Sequence, residues 1–424
     1  MSDVSITDRA EWLKDESLQT LLAALCADGE EARIAGGAVR NTVLGLPVTD
    51  IDIATTTLPD ETERRAQAAG FRTAPTGKDH GTITVIADGQ TYEVTTLRSD
   101  VETDGRRARV VFGRDWTRDA ERRDFTINAL YATADGAVID LVGGLADIES
   151  RTLRFIGDAE ARIREDYLRI LRFFRFFAWY GRGRPDADGI RASARLKDGL
   201  STLSSERVWA ELRRLLSAPD PSRALLWMRQ SGVLTAILPE SEKWGIDAIH
   251  GLVAAERDLG WTPDPLLRLE AIVPPDAVRI EAMAARLKLS KTETARLLAW
   301  AGTMPIQHAT SEIALAKIAY RAEPTGLDDR LRLALAASRA RAAQDDSAMI
   351  EAGGYSKLLR YLESWEKPVF PLKGGDLVVL GAETDKRLGN TLKTIEDEWM
   401  NGGFKQDRDA LLARAKSLLN ENAS

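Results

Sequence analysis

The 424-residue chain changes character near residue 150, and this limits its fold more than any other feature. Glycines, β-branched runs and alternating patterns crowd the first 150 residues, and the remainder reads as almost wholly helical. Strands are expected at 51–55, 82–86, 91–96 and 137–141 from β-branched content and alternation. Asp88-Gly89 reads as the hairpin turn between the second and third of these. Helices are expected at 17–26 and at 59–69, the latter with acidic residues in its first turn and Gly70 as its stop. Past Asp158 come long periodic stretches, the first running unbroken from 161 to 180. The class is therefore α+β, a small mixed sheet followed by helices.

Composition excludes several classes. One cysteine, Cys26, rules out an internal disulfide framework and suits a reducing cytosol, so a cytoplasmic location is expected. No apolar run approaches the roughly 18 residues of a membrane span. The acidic start, Asp3, Asp8 and Glu11, does not read as a signal peptide. His80, His250 and His308 stand without neighbouring ligands for zinc. The net charge of −7 argues, at first sight, against a nucleic-acid partner.

Two short elements carry chemistry. In Ala35-Gly36-Gly37-Ala38-Val39-Arg40, paired glycines before a helix allow backbone N–H groups to approach a phosphate, with Arg40 one turn further on. Ten residues later, Asp50 and Asp52 share one face of a strand. Two carboxylates held that close repel each other unless a cation lies between them, and hard oxygen ligands suit Mg²⁺. Taken singly, each element also fits a glycine-permitted surface turn or a pair of solvated acids.

Together these residues resemble the opening signature of the class II branch of the polymerase-β-like nucleotidyltransferases. That branch comprises the CCA-adding tRNA nucleotidyltransferases of bacteria and eukaryotes and the bacterial poly(A) polymerases. A second signature, Arg122-Arg123-Asp124-Phe125-Thr126-Ile127-Asn128-Ala129-Leu130, matches without a break. Further matches are Asp140-Leu141-Val142-Gly143-Gly144, Arg164-Glu165-Asp166-Tyr167-Leu168-Arg169-Ile170-Leu171-Arg172 and Ser205-Glu206-Arg207-Val208-Trp209-Ala210-Glu211-Leu212. The family has Asp where this chain has Asn41.

The resemblance implies a nucleotidyltransferase head over 1–155, a helical neck reading the nucleotide base over 156–220, and an all-helical body and tail binding tRNA over 221–424. It also implies that Gly36, Gly37, Arg40, Arg123, Asp124 and Asn128 bind the nucleotide, with Arg123, Asp124 and Asn128 at the ribose and triphosphate. From residue types alone, Arg122, Arg123 and Asp124 equally form a local salt-bridge cluster. Phe125, Ile127 and Leu130 read as core.

If the 161–180 stretch is one helix, a step of three residues puts Asp166 beside Arg169, with Arg172 and Arg175 drifting round the cylinder. Arg169, a pure donor, satisfies cytosine N3 and O2 or adenine N1, and Asp166, a pure acceptor, takes the exocyclic amino group. Uracil and guanine present the opposite pattern and leave buried polar groups unpaired, at about 1–3 kcal/mol each. The pair therefore accepts C and A and rejects U and G, and the resemblance implies that the protein acts as its own template. Arg172 and Arg175 suit a phosphate or the support of that pair; helix-surface salt bridges are the alternative.

The implied reaction is addition of CCA to tRNA 3′ ends from CTP and ATP, with pyrophosphate released at a two-metal Mg²⁺ site on Asp50 and Asp52. Glu93, central in an alternating strand, is either a third catalytic carboxylate or structural. Residues 76–82 read as a mobile loop. Residues 99–118 read as a full-length functional loop, which favours complete CCA addition over CC-only, A-only or poly(A) products. An inactive RNA-binding homologue is the remaining alternative, weighed against by the intact Asp50 and Asp52. Oligomeric state is left open.

Charge placement reverses the first inference. Residues 151–220 hold 15 Lys+Arg against 10 Asp+Glu, a local +5, which leaves −12 for the rest. With Arg330, Arg332, Arg339 and Arg341 on a distal helix, such stripes suit the phosphates of an acceptor stem.

Overall fold

The strand Ala32–Ala35 (β1) runs directly into the helix Gly37–Leu44 (α2, after α1 at Glu16–Leu25), and the sheet is built outward from it. The other strands are β2 (Ile51–Thr55), β3 (Arg72–Gly77), β4 (Thr82–Ala87), β5 (Gln90–Thr96), β6 (Arg98–Asp104), β7 (Arg107–Phe112), β8 (Leu130–Ala132) and β9 (Val138–Asp140). Seven form one sheet in the order β3-β4-β5-β2-β1-β8-β9, mixed because β2 and β5 are parallel while the other pairs are antiparallel. In this computed structural model the described residues are 4–87, 89–104, 107–242, 244–384 and 386–421, with backbone alone for 99–104 and 107–110.

Register places the chemistry. Antiparallel pairing sets Ala35 opposite Asp52, so the glycine turn at the end of β1 stands beside the Asp-x-Asp at the start of β2. Parallel pairing then sets Asp52 beside Glu93. Under this row lies a core of Ala35, Ala54, Leu97, Trp116, Tyr131 and Ile156.

The remaining helices of this part are α3 (Pro59–Ala68), α4 (Trp116–Glu121), α5 (Gly144–Glu149), α6 (Ala159–Glu165), α7 (Leu168–Tyr180), α8 (Ala187–Leu196), α9 (Ser205–Leu216), α10 (Ser222–Gln230) and α11 (Val233–Ile237). The chain divides into two compact units, Met1–Pro239 and Glu240–Ser424.

Several expectations need correction. The 161–180 stretch is two helices, because Asp166 leaves helical geometry (φ −155°, ψ 108°) and its carboxylate accepts from Leu168 N at 3.0 Å. Aspartate stabilises such a break by competing for backbone N–H groups, and the Tyr167 ring packs where a Cβ on Gly199 would stand. Residues 99–118 are not a loop: β6 and β7 pair as an antiparallel ribbon, and Asp115 caps α4 by accepting from Thr117 N and Arg118 N. Gly105 and Arg106 within that stretch lie outside the described residues, as does Asp88 of the expected hairpin turn. Residues 76–82 end β3, form one 3₁₀ turn and enter β4, and Lys78 pairs with Asp60 at 2.7 Å and Glu63 at 3.0 Å. Besides β6 and β7, the strands missed are β1, β3 and β8. β8 is buried at all three positions and shows no alternation, and Pro75 lies in the edge strand β3.

Phe125 packs on Phe155, Phe173 and Phe176, with ring centroids 4.8 to 6.2 Å apart, joining the second signature to α7. Burying each such side chain stabilises by about 1.5–3 kcal/mol.

Every secondary-structure element among the described residues of the second unit is a helix. Its cores gather Leu315, Leu327, Leu331, Leu335 and Leu358, and separately Tyr320, Leu377, Ile395 and Trp399. The expected basic stripe on the helix Pro324–Ala342 is internally engaged. Arg330 lies over Trp300 and donates to its carbonyl at 2.9 Å, Arg332 pairs with Asp328, Arg339 with Asp258 and Arg341 with Glu351. Among the described residues no helix is long and apolar enough to cross a membrane.

Candidate active site

A cleft of about 760 Å³ in the first unit is lined by β1, α2, β2, β5, α4, α7 and α9. Into it the fold brings Gly36, Gly37, Arg40, Asp50, Asp52, Glu93, Arg123, Asp124, Asn128, Asp166, Arg169, Arg172 and Arg175, each of the candidate residues of the sequence.

On the floor, burial and the neighbouring Glu93, with Asp50 beyond, push the Asp52 carboxyl above the usual range. Among the described residues no hydrogen bond or ion pair holds the side chains of Asp52 or Glu93, and Asp50 accepts only from Thr49 Oγ1 at 3.0 Å. Arg123 opposes the rise at Asp52 without forming an ion pair with it.

The glycine turn works differently from expectation. Gly36 has φ +66°, and a Cβ there would stand 3.2 Å from Arg123 Nη1 and 3.3 Å from Asn128 O. Its N–H already donates to Leu130 O at 2.8 Å, so it is not offered to an anion. Gly37 opens α2, where first-turn N–H groups lack intrahelical acceptors.

Arg40 is also corrected: it is buried and its guanidinium is largely committed. It donates to Asn41 Oδ1 at 3.1 and 2.9 Å, to Asn128 Oδ1, and to Tyr180 Oη at 2.8 Å, and it stacks over the Tyr180 ring at 4.1 Å. Among the described residues no carboxylate forms an ion pair with it, and burial lowers its pKa from the usual arginine value.

In the second signature the salt-bridge alternative is realised for the arginines. Arg122 and Arg123 both reach Asp119, which also accepts from Tyr131 Oη at 2.7 Å. Against the burial that would raise it, Arg123 and Arg122 hold the Asp119 carboxyl below its usual range. Asp124 accepts from Phe125 N at 2.9 Å and Asn128 Nδ2 at 3.0 Å on one oxygen and from Arg172 Nε at 2.7 Å on the other. Burial opposes ionisation of Asp124, and Arg172 with Asn128 more than offsets it.

Because the helix breaks, Asp166 and Arg169 are not stacked along one cylinder. Asp166 Oδ2 accepts from Arg207 Nη2 at 2.7 Å, while Arg169 pairs with Glu165 and donates to Arg162 O at 2.8 Å. Arg175 pairs with Glu211 at 2.5 Å and lies over Phe176. Asp119 and Arg207 line the cleft without having been singled out. Asp119 was detectable as an acid three and four residues before two arginines on a helix. Arg207 carried no signal beyond its place in the last matched segment.

The family model described as the poly A polymerase head domain matches residues 32–154, and the one described as the probable RNA and SrmB-binding site of polymerase A matches 187–244. The chain is 33% identical over 410 residues to the mitochondrial CCA tRNA nucleotidyltransferase 1 of Mus musculus, covering 95% of this chain and 90% of the relative. It is 32% identical over 413 residues to the CCA-adding enzyme of Leuconostoc mesenteroides, covering 95% and 96%. Among solved structures, the CCA-adding enzyme of Bacillus stearothermophilus in complex with CTP aligns with a TM-score of 0.71 at 25% identity over 96% of this chain and 98% of that one.

Proposed function

Since the chain belongs to the family of CCA-adding tRNA nucleotidyltransferases and bacterial poly(A) polymerases, we propose that it adds CCA to tRNA 3′ ends from CTP and ATP. The observation that carries this reading is one cleft joining the unpaired carboxylates Asp50, Asp52 and Glu93 to the base-reading groups Asp166 and Arg169. Residues 1–155 form the catalytic head, 156–220 the neck, and 221–424 the body and tail that bind tRNA. The compartment is the reducing cytosol that a single cysteine suits.

The donor set fits a divalent cation. No three of the described His, Cys, Asp or Glu side chains form a ready-made ligand group, and a pair of carboxylates leaving the other positions to water and substrate phosphate is what Mg²⁺ uses. Asp50 and Asp52 would hold it, with Glu93 supporting Asp52. When bound, two Mg²⁺ ions lower the pKa of the attacking 3′-hydroxyl and neutralise charge on the leaving pyrophosphate.

The chain's own residues do the rest. Arg169 exchanges Glu165 for the base N3 or N1, and Asp166 accepts the exocyclic amino proton. Asp124 and Asn128 fix the sugar side, and Gly37 at the start of α2 offers N–H groups to phosphate. Arg123, held by Asp119, sets positive potential beside Asp52. The full-length 99–118 segment supports complete CCA addition.

The test is incubation with tRNA lacking its 3′ end, Mg²⁺ and labelled CTP, ATP, UTP or GTP, separately and together. Addition of two C and one A is expected. No incorporation of C or A overturns the reading, and long A tracts replace it with polyadenylation.

A further inference from the structure

Four hydrogen-bonded contacts form a closed ring that leaves α7 and returns to it. From Tyr180 in the last turn, Oη accepts from Arg40 Nη2 at 2.8 Å; Arg40 Nη1 donates to Asn128 Oδ1; Asn128 Nδ2 donates to Asp124 Oδ1 at 3.0 Å; Asp124 Oδ2 accepts from Arg172 Nε at 2.7 Å, back on α7. The two α7 ends are eight residues apart, about 12 Å along the axis. The three linking side chains are buried, Arg40 at 7%, Asn128 at 9% and Asp124 at 9% exposure.

Each end is also held a second way: Arg40 Nη2 donates to Asn41 Oδ1 at 2.9 Å as well, and Arg172 reaches Asp124 Oδ2 through Nη2 at 2.5 Å beside Nε. Asn128 presents its oxygen to Arg40 and its amide to Asp124, so its orientation is fixed by both. In a low-dielectric setting such linked bonds act as a unit. Arg169, one turn before Arg172 on α7, then stands at a fixed height above the sheet that carries Asp52.

We infer that Tyr180 is a positioning residue: through Arg40, Asn128 and Asp124 it sets the register of α7 on the sheet, and so the placement of the nucleotide base. This rests on the reading of Arg169 as a base-reading group. The competing account is that the Phe125, Phe155, Phe173 and Phe176 packing alone sets that register.

Tyr180→Phe keeps the ring stack and removes only the hydroxyl, and Arg172→Lys weakens the other end. A cycle of the two on the KM for CTP reads their coupling. Each single change is expected to raise KM about three- to tenfold while moving kcat less than about twofold, and the double variant to be no worse than the stronger single. Effects that multiply overturn the ring, as does a Tyr180→Phe enzyme with unchanged KM. Arg169→Ala is assayed beside them for misincorporation of U and G. If it relaxes selectivity and Tyr180→Phe does not, the ring fails and the base reading stands. If Arg169→Ala leaves selectivity intact, the base reading fails and the KM cycle alone decides the ring.

Discussion

Arg207 holds Asp166 at 2.7 Å across 41 residues of sequence, and so presents the carboxylate over the cleft from a second helix. Both side chains are partly exposed, 48% and 35%, so the pair contributes only about 0–1 kcal/mol to stability. Arg207→Ala is expected to leave thermal unfolding nearly unmoved yet to relax rejection of U and G, because Asp166 loses its fixed orientation. Misincorporation assays beside a melting curve check this; a large loss of stability with selectivity intact contradicts it.

Asp52 carries the opposite balance. Burial and Glu93 raise its folded pKa, so at neutral pH the ionised carboxylate strains the fold. Asp52→Asn is expected to abolish incorporation, by about a hundredfold or more since several kcal/mol of charge stabilisation are lost, and to raise the melting temperature. The sign follows because the raised pKa makes the neutral form the one the fold prefers. An unchanged or lowered melting point in Asp52→Asn refutes the electrostatic account.

Local signals were legible and distant pairings were not. Asp50 and Asp52 were readable because alternation on a strand fixes which side chains share a face, and the helix Pro59–Ala68 because its acidic first turn and the following Gly70 mark its ends. The engagement of Arg172 with Asp124, 48 residues away, and of Arg40 with Tyr180, 140 away, depends on the tertiary fold and leaves no periodic trace. The break at Asp166 was hidden because apolar periodicity continues through it. Charge clusters misled for a related reason: Arg330, Arg339 and Arg341 of Pro324–Ala342 face an indole ring and acids of other helices, which no count along the chain reveals, while Arg332 pairs with Asp328 within its own helix.

Asn41 stands where the resembling family has Asp, and its two halves are both in use. Oδ1 accepts the Arg40 fork, and Nδ2 donates to Pro47 O at 2.8 Å. Asn41→Asp keeps the fork and supplies the carboxylate Arg40 lacks, at the cost of one exposed bond. Charge-assisted bonds are roughly twice as strong as neutral ones, so a net gain of about 1 kcal/mol is expected, with CCA addition preserved. A lowered melting temperature shows that the Pro47 contact matters more than the charge.

In the second unit, Glu270 is 1% exposed, and neither of its oxygens accepts a hydrogen bond. Burial first, and then the carboxylate of Asp329, push its pKa well above the usual glutamate value, with Arg296 opposing and Asp264 adding to the rise. Arg296 is already divided between Asp329 at 2.8 Å and Asp264 at 2.6 Å, so it offsets little of that rise. A carboxyl with a raised folded pKa contributes stability that is complete below its unfolded pKa and is lost as pH rises through the folded one. Unfolding of the second unit should therefore become easier from mildly acidic toward alkaline pH. Glu270→Gln mimics the neutral acid and should flatten that slope while keeping or raising stability at pH 8. Thermal denaturation of the full chain between pH 5 and 9 measures both, and an identical slope in the variant assigns the pH dependence to other groups.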